Sequence, residues 1–293
     1  MKRIVWGMLC VCLLSAGSIV AKAQDKEMEG MHHPPKVLSV MREWVKPGKS
    51  GAPHEKTEAL FVQAFARAKW PTQYIGMESL SGKSRALFLT GYDSFAAWEK
   101  DTMAAAKNAT LSAAISHASD VDGALLDATD QATFFYRGDL SLKDDVDLSK
   151  ARYFDIGVFQ IKPGHITEFE NATKTVMAAF AKANPKAHWA AYQSAYGRTD
   201  GTYLFITLRS SASEIDDDFT HYKDFGMAMG EEGMKKLDEA SANSIESSES
   251  QIFQINPNMS YVGDDLIKAD PFWKPKAAAA AAPKKAEAKP SGN

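Results

Sequence analysis

The sequence predicts an α+β chain in which two βαββαβ modules pack together as an intramolecular α/β-barrel pseudo-dimer. Three observations carry this. Short motifs recur in the same order at an offset of about 116 residues, the apolar patterning within each copy follows the order strand, helix, hairpin, helix, strand, and the mature chain has no cysteine with which to staple a smaller core. In the repeat, 45–48 (Val-Lys-Pro-Gly) returns as 161–164 (Ile-Lys-Pro-Gly), and 64–68 (Ala-Phe-Ala-Arg-Ala) returns as 179–183 (Ala-Phe-Ala-Lys-Ala). Gly82-Lys83 likewise returns as Gly197-Arg198, and 87–90 (Leu-Phe-Leu-Thr) as 204–207 (Leu-Phe-Ile-Thr).

Each element has a local cause. The β-rich runs 37–46 and 153–162 stop at Pro-Gly, which cannot continue a strand. Helical spacing follows, through Leu60, Ala64 and Ala68 in the first copy and Phe169, Thr173, Val176 and Phe180 in the second. Two hairpins come next, 72–79 with 85–90 around Gly82, and 188–196 with 202–208 around Asp200-Gly201. A long helical region opens at Asp93-Ser94 and its counterpart at Ser213, where Glu214 and Asp216 to Asp218 complement the helix dipole. Breaks are expected at Gly123 and at Gly226, Gly230 and Gly233, and closing strands near 132–137 and 252–256.

This is the ferredoxin-like split βαβ order, twice over. Two helices cover one face of each sheet and leave the other bare, so the halves are expected to bury their bare faces against each other, joined through the polar segment 141–150. The modules are placed at 37–140 and 151–262. The β–Pro-Gly–α openings and the aromatic helix after the first hairpin (Phe95, Trp98) resemble the dimeric α/β-barrel superfamily, here with the dimer fused into one chain. That superfamily includes haem-binding and haem-degrading enzymes, cofactor-free monooxygenases, isomerases and members without known activity. The resemblance therefore implies fold more than function, and implies ligands in the cleft between a sheet and its helices.

The ends are read separately. Lys2 and Arg3, an apolar run from Ile4 and the small residues of Ala21-Lys22-Ala23 read as an export signal over 1–23, giving a periplasmic or secreted protein with no membrane span after cleavage. Cys10 and Cys12, the only cysteines, leave with it, so the mature chain has no disulfide, thiolate metal site or cysteine nucleophile. Cleavage also removes Lys2, Arg3 and Lys22 and no acid, which moves the formal charge from −3 to −6. An acidic chain without a basic stripe excludes nucleic acid as a partner. Residues 24–36 read as an unstructured lead-in, and 274–293, of Ala, Lys and Pro, as a disordered tail. Its lysines (Lys274, Lys276, Lys284, Lys285, Lys289) offer at most weak envelope contact.

Polar residues on strands, where an apolar side chain is the ordinary choice, are the candidates for chemistry. His188, beside Trp189, is a candidate axial base or proton shuttle. Asp155, on the largely apolar strand face shared with Tyr153, Gly157, Phe159 and Ile161, is a candidate general base if it points inward, where it needs a partner. His221 follows Asp217 by one helical turn as a minimal acid–base pair, without a third ligand, so no metal site is read. Trp189, Tyr192, Phe159 and Tyr153 are the expected ligand-binding residues. Arg42 and Glu43 fall on opposite faces of their strand and cannot share one cleft. Nucleophile-elbow, phosphate-loop, zinc-helix and dinucleotide motifs are absent. Three functions follow: an exported binder of a small apolar or aromatic ligand without cofactor, a haem-linked or cofactor-free monooxygenase-like enzyme, or a structural envelope protein. The divergence of the halves, Gln73 against His188 and Ser39 against Asp155, places a single working site in the second half.

Overall fold

A computed structural model describes residues 33–275, so the export signal, most of the lead-in and the tail from 276 lie outside the described residues. The first module runs β1 (Val37–Val45), α1 (Ala52–Ala68), β2 (Ile75–Ser79), β3 (Arg85–Tyr92), α2 (Phe95–Lys107), α3 (Ala109–Gly123) and β4 (Leu126–Tyr136). The second runs β5 (Tyr153–Ile161), α4 (Ile166–Ala183), β6 (Ala190–Tyr196), β7 (Thr202–Arg209), α5 (Ser213–Ser244) and β8 (Ile245–Ile255), followed by a short α6 (Asp264–Ala269). Every predicted strand is present, and the closing strands are each longer than their apolar core suggested.

The eight strands close into one antiparallel barrel in the order β1-β3-β2-β8-β5-β7-β6-β4. Each module contributes a four-stranded sheet of order 4-1-3-2, and the two sheets join at both edges, through β2 with β8 and β4 with β6. Closure removes all free sheet edges, the positions where unpaired backbone groups invite aggregation. Alternation along each strand sends one set of side chains into the lumen and the other toward the helices. The lumen is the main core, built from Leu38, Val40, Leu87 and Leu89 of one module against Phe154, Ile156, Leu204 and Ile206 of the other. The bare faces of the two modules therefore bury each other.

Two features differ from the sequence reading. The first long helical region divides at Asn108, whose side chain accepts from Leu111 N and so caps α3, while Gly123 is the last residue of α3 rather than a break. In α5 only Gly230 leaves helical geometry, at φ 68°. The segment after β8 was also not foreseen as core: it crosses one end of the barrel and buries Trp273 completely, with the indole N–H donating to Ser149 O at 2.9 Å. The linker ahead of the second module is thus tied to the C-terminal extension, beyond the boundary at 262. No helix among the described residues is long and apolar enough to cross a membrane.

Candidate metal centre

The main ionisable cluster lies in the first module, between the outer face of its sheet and the helices. Glu43 projects from β1 toward α1, whereas its neighbour Arg42 enters the barrel, as strand alternation requires. His54 and Glu58 sit one turn apart near the start of α1, which opens with Pro53 in its first turn and is preceded by Gly51 at φ 72°. Asp122 comes from the last turn of α3. All four are buried, His54 completely.

The geometry is compact. His54 Nε2 lies 3.1 Å from Glu43 Oε2, 3.4 Å from Asp122 Oδ1 and 3.8 Å from Glu58 Oε1. One ligand-type atom from each of the four residues falls within 4.8 Å of the other three. A tetrahedral ion with bonds of about 2.0–2.1 Å separates its ligands by roughly 3.3 Å, close to the spacings from His54 Nε2 to the three carboxylates. Around it, the Thr57 hydroxyl is shared between Asp122 Oδ1 and the His54 carbonyl, fixing the carboxylate's orientation.

Electrostatically the cluster is under strain. Burial pushes the Glu58 carboxyl from an ordinary 4.5 up to about 10, helped by the charges of Glu43 and Asp122. Burial also raises Glu43, against the hydrogen bond from His54 that lowers it. Burial alone would depress the His54 imidazole, but Glu43 and Asp122 together outweigh it and hold it above its usual value. Three buried atoms here find no hydrogen-bond partner: Glu58 Oε1, His54 Nδ1 and the hydroxyl of neighbouring Tyr74. Burial, with the charges of Glu58 and Glu43, drives that phenol well above its normal range. A buried polar group without a partner costs on the order of 1–3 kcal/mol, so several in one place call for an occupant or a proton.

The second module has no such cluster. Phe159 stands at the strand position of Glu43 and packs against Phe169 and Phe205, with ring centroids 5.9 and 5.5 Å apart. Phe169, at the helix position of His54, belongs to this ring cluster, and Glu170 beside it accepts from Tyr203 at 2.7 Å and from Arg137 at 2.6 Å. Trp189, matching Tyr74, donates to Leu140 O at 2.8 Å. One cleft is therefore filled by aromatic rings and a closed ion pair, the other by ionisable groups.

Of the residues singled out from sequence, the fold gathers Phe159 and Trp189 into one cluster and keeps the others apart from it. His188 has both ring nitrogens against backbone carbonyls, Lys186 O at 2.9 Å and Leu208 O at 2.8 Å. With neither nitrogen free and the cleft filled by side chains, these residues do not fit a haem. Asp155 meets Arg209 at 2.7 Å, and Arg209 also holds Asp218 at 2.8 Å, so the proposed base is one arm of an ion-pair network. His221 Nδ1 lies 2.7 Å from the Asp217 carbonyl, a contact within its own helix, and Asp217 itself reaches Lys186. Phe159 and Trp189 do share the cleft core, but Tyr192 points into the barrel against Tyr136, because strand alternation puts it on the face opposite Ala191. Tyr153 is half-buried on the outer face of β5. The expectation of no metal site weighed His221 and Asp217 but not the four clustered side chains of the first module, which could hold an ion.

His54, Glu58 and Asp122 were missed, and a signal existed for two of them. The inward stripe of α1 through Ala64, followed back toward the N-terminus, lands on Thr57, Glu58 and His54. Polar residues on an apolar stripe mark a site. Asp122 carried no comparable signal, since only the tertiary fold brings it to α1.

With the fold in place the chain can be set beside known proteins. No family model matches it, and no curated protein matches it. Solved structures do match. A proposed monooxygenase from Fusobacterium nucleatum subsp. nucleatum superposes at TM-score 0.50 with 14% identity, over 77% of this chain and 94% of that one. An anthrone oxidase-like protein gives 0.48 at 14% identity over 75% and 92%. A chlorite dismutase variant from Candidatus Nitrospira defluvii gives 0.49 at 9% identity over 83% and 99%. The chain has the fold of the dimeric α/β-barrel superfamily, with both modules of the pair in one polypeptide.

Proposed function

We propose that the chain is an exported metalloprotein that holds one divalent first-row ion on Glu43, His54, Glu58 and Asp122. The observation that carries this reading is the set of four buried ionisable side chains whose donor atoms lie within 4.8 Å of one another, with Glu58 Oε1 lacking a hydrogen-bond partner. One imidazole with three carboxylates suits manganese, iron or zinc, while thiolate-loving ions are disfavoured by the absence of cysteine. The ion would offset two of the three carboxylate charges, and Tyr74, whose buried hydroxyl has no hydrogen-bond partner, borders the cluster through the charges of Glu58 and Glu43. Export rests on the N-terminal pattern, and its test is the mass of the mature N-terminus, with Gln24 expected first.

The second reading is a monooxygenase-like enzyme acting on a small apolar or aromatic molecule. It is favoured by the description of the Fusobacterium neighbour, and a redox-capable ion at this centre would supply the electron chemistry. Both readings rest on the centre, so the first test is whether it binds an ion. Calorimetric titration of the chelator-treated full mature chain with Mn(II) and with Zn(II) is expected to show one saturable site per chain. Glu58→Gln, nearly isosteric, should weaken binding at least tenfold while circular dichroism stays unchanged. At a hundredfold excess over the dissociation constant, the ion should add about 2.7 kcal/mol of stability. Absence of saturable binding of either ion, or equal affinity in Glu58→Gln, would overturn the proposal.

A further inference from the structure

On the other side of the same sheet, the barrel lumen is closed at one end by Trp273 and Leu266 and left partly empty toward the other. The space is a cavity of about 50 Å³ with walls of Leu87, Ile156, Leu204 and Ile206. Several waters' worth of room lies against apolar surface, since one water needs roughly 10–15 Å³ on this measure.

The rim of this cavity is built from donors. Arg42 is held by Asp130, with Nε at 2.6 Å, and Arg85 Nη2 by Glu249 at 2.5 Å. Three guanidiniums therefore face two carboxylates, because Arg198 forms no hydrogen bond or ion pair among the described residues yet also lines the cavity. Partial burial and the charges of Arg42 and Arg85 pull Arg198 below the usual arginine range, against the charges of Asp130 and Glu249, which raise it. Two further donors are buried without an acceptor: Arg85 Nε, and Gln251 Nε2, which lies over the Gly82 turn on a residue only 6% exposed. No acceptor is orphaned on this rim among the described residues. A carboxylate would supply both the acceptors these donors lack and the negative charge that balances the third guanidinium.

We infer that the lumen binds a short-chain carboxylate, its head on Arg198, Arg85 and Gln251 and its two or three carbons against the leucine and isoleucine walls. The planar fork of a guanidinium matches a carboxylate, the apolar walls select a tail over a bare oxyanion, and the cavity volume excludes a long chain. This site stands on observations separate from the metal centre, since Arg42 and Glu43 point to opposite faces of β1.

The probe is sodium propionate, titrated by calorimetry and by amide chemical shifts into the full mature chain. Saturable one-to-one binding is expected, weakened at least tenfold by Arg198→Gln and at least threefold by Gln251→Leu, and absent for the neutral analogue propionamide. Arg198 is exposed, so its replacement leaves the fold intact. Glu58→Gln should bind propionate with unchanged affinity, which separates this site from the metal centre. The inference is overturned if propionate shows no saturable binding, if propionamide binds as well, if Arg198→Gln retains full affinity, or if inorganic phosphate outcompetes propionate.

Discussion

At the scale of single residues the account turns on Glu58. It is buried beside two other carboxylates, with its carboxyl raised to about 10, so without an ion it keeps its proton at neutral pH. In the unfolded chain it ionises near 4.5. The folded state then binds the extra proton between those limits, and its stabilising effect is complete below the lower one and lost as pH rises toward the upper. The metal-free protein should accordingly lose up to about 1.4 kcal/mol per pH unit from this group above pH 5. Chemical denaturation at pH 6, 7 and 8 in chelator checks this. Glu58→Gln, which cannot ionise, should flatten the slope, and an equal slope in the variant would show that the strain lies elsewhere. The same residue marks the limit of the sequence. Glu43 was placed correctly on the face opposite Arg42 by strand alternation alone. His54 and Glu58 could have been read from the α1 stripe. That Asp122, sixty-four residues after Glu58, completes the set depends on how α3 packs on α1, which no local pattern encodes.

At the scale of elements, repeats and breakers made the strands legible, because Pro-Gly stops and hairpin glycines act locally. Gly230 shows the same locality, since only glycine adopts φ 68° with ψ 166° at no steric cost. The helix break at Asn108 was less visible, because an asparagine cap has to be distinguished from an ordinary surface residue. The C-terminal extension was missed for a different reason: a lone Trp273 within a polar, proline-bearing stretch has no periodicity to announce burial. Its role is nonetheless large. Trp273 is fully buried at the closed end of the lumen and bonded to Ser149, while Arg152 stacks on Phe272 at 4.0 Å and reaches Asp270 at 2.6 Å. Trp273→Ala should cost about 3–5 kcal/mol in chemical denaturation, through lost apolar burial and the cavity left behind. A loss under 1 kcal/mol would mean that the segment rests on the barrel without closing it.

At the scale of the whole molecule, the two modules share a backbone plan and divide their chemistry. Their lumen faces remain apolar and mutually buried, which the tandem repeat foretold. Their outer clefts have diverged: rings and the Glu170–Arg137 pair fill one, and ionisable groups fill the other. The expectation of one centre in the second half followed from its richer strand-borne polar residues, His188 and Asp155. Those residues meet carbonyls and Arg209, while the unsatisfied atoms gather in the first half. Composition and spacing identify polar residues on strands but not whether the fold provides each with a partner. The direct measurement is anomalous scattering from crystals of the mature chain grown with manganese. The account predicts one peak per chain, bonded to His54 Nε2 and to oxygens of Glu43, Glu58 and Asp122. A map with no peak there, or with its strongest peak in the cleft of Phe159 and Trp189, would contradict it.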